Sequence, residues 1–271
     1  MALKHQTLDV AVDAGVAVVW LNRPPVNAVS IEMYDEIRWV FKRPDELGAD
    51  IRVVVLAGRG AHFCAGNDLG EFATMDGKNA DERMWHVREA FFAIQDCPVP
   101  VIAAVHGSAL GTGLALAASC DYVIAAEGAR FGLPEITVGV MGGARHLARW
   151  VSQPVVRRAF FTGEPLTADE LHKAGVVQAV VAPSELLAAV DAEARLIARH
   201  SPTAMRLAKR GLNMIEGVDL RSGYAYEQRL TALMSDHSDS KEALASIRER
   251  RTASYAPRQD LALPPGNPAQ W

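Results

Sequence analysis

The sequence predicts an α/β protein whose last third is helical. Two apolar runs, IRVVVLAG at 51–58 and VPVIAAV at 99–105, read as buried strands. Each leads through a glycine-bearing turn into residues able to start a helix: FCAGNDL at 63–69 and HGSALGTGLALAASCD at 106–121. From about residue 145 onward the pattern is mainly helical. A core carrying a site, followed by helices that pack against it or against a partner subunit, is the organisation expected.

The elements follow in order. TLDVAVDAG and VAVVWLNRP form a hairpin-like pair, with Gly15 at the bend and Arg23-Pro24-Pro25 ending the second strand. Ser30 can cap a helix reaching about Val40, which Pro44 helps to stop. After the first glycine turn, a helix over about 81–96 draws apolar contacts from Met84, Phe91, Phe92 and Ile94, and Cys97-Pro98 ends it. A helix over 113–119 and the strand DYVIAAE lead to Glu135. Thr167 and Glu170 fit a capping box, and Gly175 closes that short helix. Ser184 begins a helix reaching His200, Ser201-Pro202 starts the next, and further helices fit 219–235 and 239–250. The tail LALPPGNPAQW reads as loosely ordered.

Composition narrows the function. With 271 residues, 49% hydrophobic and 22% charged, the chain has the makings of one sizeable core or at most two domains. A net charge of −4 argues against nucleic acid and anionic membrane as partners. No run approaches the ~18 apolar residues of a membrane span, and the N-terminus lacks a secretory pattern. Cys64, Cys97 and Cys120 are odd in number and lack metal-ligand spacing, so a reduced, cytoplasmic protein without a zinc site is expected.

The chemistry lies in the two turns. Gly66, Gly111 and Gly113 let the backbone turn tightly and approach a ligand where a Cβ would obstruct. Two such turns side by side can aim two backbone N–H groups at one oxygen, and a helix N-terminus adds partial positive charge. That is an oxyanion hole, suited to an enolate or a tetrahedral anion. Gly111-Thr-Gly113 also prompts a dinucleotide site, but Leu116 stands where the third glycine would be and no ribose-binding acid follows. Ser108 beside His106 is not a triad, and no GxSxG elbow surrounds it.

At these motifs the chain resembles the crotonase superfamily, the enoyl-CoA hydratase/isomerase family. LNRPPVNAVS at 21–30, FCAGNDL, PVPVIAAVHGSALGTGLALAASCD, FGLPEITVGV at 131–140 and SDHSDSKEALASIRERR at 235–251 occur in the family's order. The resemblance implies a crotonase-like spiral of ββα units over residues 1–195 carrying an acyl-CoA site. Residues 196–271 would form a helical trimerisation region, giving a homotrimer or a dimer of trimers. It implies a coenzyme A thioester as substrate and no separate cofactor. Carried across by position, the backbone N–H groups of Asn67 and Thr112 are the oxyanion donors, and Glu135 is the general acid/base. Ala28, Ala65, Leu69 and Gly111 fall where the family meets substrate. Arg250 matches a basic position that meets CoA phosphate, though a solvated basic face reads equally well.

The departures matter as much. Ala115 stands where two-glutamate hydratases carry their other catalytic carboxylate. One carboxylate suffices to shuttle a proton between C2 and C4, so double-bond isomerisation, hydration and hydratase/lyase chemistry all stay open. So does a non-catalytic acyl-CoA-binding scaffold. Met141–Leu147 is shorter than the family's glycine-rich stretch, which puts acyl specificity in doubt at Arg145 and His146. Asp68 reads as a cap of the following segment, and Met84, Phe91 and Phe92 as core.

Overall fold

Alternation along three apolar strands sets the architecture. In a computed structural model, which describes residues 5–48 and 50–262, Val53, Val55 and Ala57 face one side of a sheet while Val54 and Leu56 face the other. Ile102/Ala104 against Val101/Ala103/Val105 repeat the pattern, as do Ile124/Ala126 against Val123/Ala125. Strands covered on both faces must be apolar at every position, which is why these runs are continuous in sequence.

The chain runs β1 (Leu8–Asp13), β2 (Val16–Leu21), α1 (Ile31–Lys42), β3 (Val53–Gly58), α2 (Leu69–Phe72), α3 (Ala80–Gln95), β4 (Val101–Val105), β5 (Ser108–Leu110), α4 (Thr112–Ser119), β6 (Tyr122–Ala126) and β7 (Arg130–Gly132). It continues through α5 (Ala144–Leu147), α6 (Gln153–Thr162), β8 (Leu166–Thr167), α7 (Ala168–Lys173), β9 (Val177–Val181), α8 (Leu186–Ala198), α9 (Pro202–Ile215), α10 (Leu220–Ser235) and α11 (Ser238–Glu249). The main sheet has the order β1-β2-β3-β4-β6-β9, with β1 antiparallel to β2 and every other pair parallel. Ala14 and Gly15, both at positive φ, make the expected bend between β1 and β2.

The larger core packs α1, α3 and α4 on one face of this sheet. Leu186, Val190 and Ala194 of α8 cover the other. The expected caps are present. Ser30 accepts from the Met33 amide, Thr167 and Glu170 form the capping box, and Ser201 accepts from the Ala204 amide. The helix expected from Ser184 begins as a 3-10 turn at Pro183–Glu185 and becomes α-helical only at Leu186. The α9 helix is tied back to the core by Lys209, 5% exposed, whose ammonium donates to Ile94 O, Val99 O and Asp121 Oδ2 at 3.4, 3.1 and 2.9 Å. Leu207, Tyr226 and Leu230 make a separate small cluster between α9 and α10. The tail reading falls largely on residues 263–271, outside the described residues.

Two of the apolar expectations for α3 need correction. Phe91 and Ile94 are buried, but Met84 and Phe92 are 38% and 46% exposed. They line a separate cavity of about 530 Å³ with His146 rather than the core. The mean pattern of α3 is weakly amphipathic, so its buried face follows from what α1 and α4 leave room for.

Candidate active site

Because β3 and β4 are adjacent and parallel, their carboxyl ends emerge on one edge, and both glycine turns start there. The turns are then stitched to each other. Cys64 forms a parallel bridge to Ala109, with the Cys64 amide donating to Ser108 O and the Leu110 amide to Cys64 O, each at 2.9 Å. Gly113 is required by this approach: a Cβ there would lie 2.2 Å from Cys64 O. On its other side the first turn is held by residues 26–29. Ala65 N donates to Val26 O, Val29 N to Gly66 O, and Asp68 N to Val29 O.

That last pairing orients Asn67. In a parallel bridge the central residue of one strand is bonded through its two neighbours, so its own N–H points away from the partner. Val29 bonds Gly66 and Asp68 on either side of Asn67, which turns the Asn67 amide outward. Thr112 is the first residue of α4, where an amide has no intrahelical acceptor. Its predecessor Gly111 adopts φ 54°, ψ −115°, a conformation that favours glycine. Neither amide donates to a protein group among the described residues. Both residues line one cavity of about 440 Å³.

A second small sheet delivers Glu135 to the same cavity. It has the order β5-β7-β8, and β5 pairs parallel with β7, Leu110 opposite Gly132. The Gly111 amide donates to Gly132 O at 2.8 Å, so the chains leave side by side, one toward Thr112 and the other toward Glu135. Glu135 sits in a 3-10 turn, Pro134–Val138, which Gly139 ends in the left-handed conformation. Its Oε1 crowds the open side of Gly111, where a Cβ would come within 3.0 Å, and Gly142 and Gly143 wrap round it. Its Oε2 is buried without a protein partner. Burial pushes the Glu135 carboxyl above the usual carboxylate range, offset in part by its own backbone amide.

Ala28, Ala65, Asn67, Leu69, Gly111, Thr112 and Glu135 thus all line this cavity, drawn from four stretches of sequence. Arg250 does not; it caps α11 in the left-handed conformation and is exposed. The other carboxylate on the wall, Asp68, is fully engaged. Its Oδ1 accepts from the Glu71 amide at the start of α2, and its Oδ2 pairs with Arg23 at 2.5 Å. The Glu71 amide and Arg23 hold its carboxyl below the usual range. Ala115 is 2% exposed in the core beneath. Glu135 is therefore the one wall carboxyl, among the described residues, that is free to exchange a proton.

The shortened loop runs past this carboxyl into α5. His146 packs edge-on against Phe91 with ring centroids 4.9 Å apart, and burial, with Arg149 and Arg145 adding repulsion, pushes its imidazole down to about 4. The sequence reading passed over Val26, Phe72, Val138 and Val140, which give the cavity its apolar wall. It also passed over Tyr34. Within α1 this residue fits the buried stripe of Met33, Ile37, Val40 and Phe41. A buried tyrosine needs a partner for its hydroxyl, and that requirement is the signal by which it could have been singled out. Its O–H donates to Asn67 Oδ1 at 2.6 Å and lies 2.9 Å from Thr112 Oγ1. No cluster of three or more metal-ligating side chains occurs among the described residues, and no helix there is long and apolar enough to cross a membrane.

Comparison with known proteins bears on the family and the fold. The profile of the family described as Enoyl-CoA hydratase/isomerase matches residues 11–258. A 2,3-dehydroadipyl-CoA hydratase of Escherichia coli (strain K12) is 35% identical over 256 residues, covering 90% of this chain and 96% of that one. A short-chain-enoyl-CoA hydratase of Clostridium acetobutylicum is 33% identical over 243 residues, covering 87% and 92%. The crystal structure of an enoyl-CoA hydratase from Bacillus anthracis superposes with a TM-score of 0.86 at 33% identity, covering 92% and 99%. A fold with two hydrogen-bonded glycine turns and a glutamate between them, matched over nine-tenths of its length, leaves one conclusion: the chain belongs to the enoyl-CoA hydratase/isomerase family of enzymes, in the crotonase superfamily.

Proposed function

We propose that the cavity binds an acyl-CoA thioester with its carbonyl oxygen between the amides of Asn67 and Thr112, and that Glu135 moves the proton. The observation that carries this reading is the meeting of two unpaired main-chain amides and one half-buried carboxyl, its Oε2 without a protein partner among the described residues, on a single cavity wall. Electron density pushed onto the thioester oxygen gives an enolate, and each preorganised donor is worth roughly 10²–10³-fold in rate. In hydration of a 2-enoyl thioester, water adds at C3 and Glu135 takes its proton and returns one to C2. In isomerisation of a 3-enoyl thioester, the same carboxyl removes a proton from C2 and delivers it to C4.

The engagement of Asp68 and the methyl at Ala115 support a mechanism with one base. With no second carboxylate beside it among the described residues, desolvation raises Glu135, bringing it closer to working pH as a general acid/base. Ala28, Ala65, Leu69 and Gly111 would contact the pantetheine and acyl parts. In this reading residues 1–195 carry the site and the helices beyond supply a trimer interface, from which Arg250 of a neighbouring copy reaches the CoA phosphates. Such a reaction needs no cofactor beyond the substrate's own CoA, and suits a cytoplasmic enzyme.

Glu135→Ala tests the reading. Turnover of 2-enoyl and 3-enoyl thioesters should be abolished while binding of a CoA ester is retained. Wild-type turnover in that variant refutes it, and product analysis of the parent enzyme separates hydration from isomerisation.

A further inference from the structure

Three elements meet at one hydroxyl. Tyr34 is 1% exposed in α1, and its ring is braced edge-on against Phe91 at 6.2 Å. Its O–H donates to Asn67 Oδ1 at 2.6 Å and its oxygen lies 2.9 Å from Thr112 Oγ1. A phenol has one hydrogen. With that hydrogen given to Asn67, the Thr112 hydroxyl must be the donor in the second bond. The chain Thr112–Tyr34–Asn67 is thus directional, and it joins the side chains of the same two residues whose amides face the cavity.

We propose that Tyr34 is a positioning residue that aligns the Asn67 and Thr112 amides through their side chains. The proposal rests on the oxyanion reading above and extends it to a residue outside the cavity. The turns are otherwise joined along one line, the Cys64–Ala109 bridge. That line runs through Cys64 and Ala109 rather than through Asn67 and Thr112, and Val29 holds Asn67 from the side away from Thr112. The phenol adds a second tie beyond Thr112 and Asn67, and the branched Thr112 side chain transmits the constraint stiffly to its backbone. Tyr34 does not line the cavity, so it acts only through these two residues.

Ala115 fits the same account. It lies one turn after Thr112 on the same face of α4, and side chains on a helix lean toward its N-terminus. A carboxylate there would be directed at the space around the Tyr34–Thr112 pair. The methyl leaves that space to neutral hydroxyls, and burial pushes the Tyr34 phenol up, so it stays a protonated donor.

The test uses Tyr34→Phe, the double variant Asn67→Ala/Thr112→Val, which keeps both amides, and the triple combination. Two readouts apply: turnover of a 2-enoyl-CoA, and the red shift in absorbance of a bound 3-aryl-acryloyl-CoA, which reports polarisation of the thioester carbonyl without turnover. Tyr34→Phe should lower kcat about tenfold or more, leave KM within about twofold, and diminish the red shift. In the Asn67→Ala/Thr112→Val background the Tyr34→Phe change should have no further effect, because its route is already cut. A full red shift in Tyr34→Phe, or losses that simply multiply, overturns the proposal. Should Tyr34→Phe not fold, the double variant decides: a wild-type shift there overturns the proposal too. Absence of any red shift in the parent protein would instead overturn the oxyanion reading itself.

Discussion

Placing one methyl group at Gly113 tests the geometry on which the site depends. The Cβ of Gly113→Ala would sit 2.2 Å from Cys64 O and 3.0 Å from both Cys64 C and Cβ. Reaching ordinary van der Waals contact requires the two turns to part by about 1 Å. The crowded oxygen is the one that accepts the Leu110 amide, so the displacement also strains the bond that registers the turns. Overpacking of this kind costs about 1–3 kcal/mol of stability. A displacement of about 1 Å at a catalytic constellation costs about 10²-fold in rate. Both amides ride on the separating segments, so the activity loss should exceed what the stability loss alone would cause. The assay is kcat/KM on a 2-enoyl-CoA, followed by loss of enoyl thioester absorbance, beside a urea midpoint. Gly77→Ala is the control, since nothing lies within 4 Å of a Cβ there. Wild-type kcat/KM with an unchanged midpoint in Gly113→Ala would refute the claim that close backbone approach sets the two amides.

Further outcomes follow from burial and charge. Glu135→Gln should raise Tm near neutral pH. The folded-state pKa of Glu135 lies above its unfolded value, so ionising it in place opposes folding as pH rises; the gain should vanish below about pH 4, where both states are protonated. A Tm difference independent of pH would contradict this. For His146 the sign is opposite. Its folded pKa is depressed to about 4, so its contribution to stability is complete above the unfolded value of about 6.5 and fades as pH falls toward about 4. His146→Gln should flatten that part of the stability profile, and an unchanged slope would count against it. Lys209→Met removes the ammonium shared by Ile94 O, Val99 O and Asp121. It should cost about 3 kcal/mol, at the lower end for breaking a buried pair because Asp121 keeps some water. A urea-derived change below about 0.5 kcal/mol, the scale of an exposed pair, would mean that α9 is held by its apolar contacts alone.

The local devices were legible because each depends on neighbours in the chain. Ser30, Thr167 and Ser201 cap helices through bonds to residues three positions on, and the apolar runs of β3, β4 and β6 announce strands covered on both faces. Gly66 and Gly111 stood out for the same reason, through turn chemistry, whereas Glu135 stood out only through the resemblance of FGLPE to the family's segment. Phe92 misled because its helix is only partly roofed, so an aromatic residue there can stay exposed. Tyr34 was hidden in plain periodicity: its pattern says core, and nothing within α1 says where its hydroxyl goes.

By itself, then, the sequence marked strands β1 to β4 and β6, most of the longer helices, the sites of tight turning and Glu135 as the candidate base, while β9, which closes the main sheet, lies in a stretch that reads as mainly helical. Only the tertiary structure decided that Asp68 is occupied while Glu135 is not, that Gly113 must lack a Cβ, and that one phenol joins Asn67 to Thr112. The physical reason is range. Propensity and capping act over a few residues, whereas desolvation, close backbone approach and the partners of buried polar groups depend on segments 78 positions apart for Tyr34 and Thr112 and 115 apart for Lys209 and Ile94, brought together by the tertiary fold.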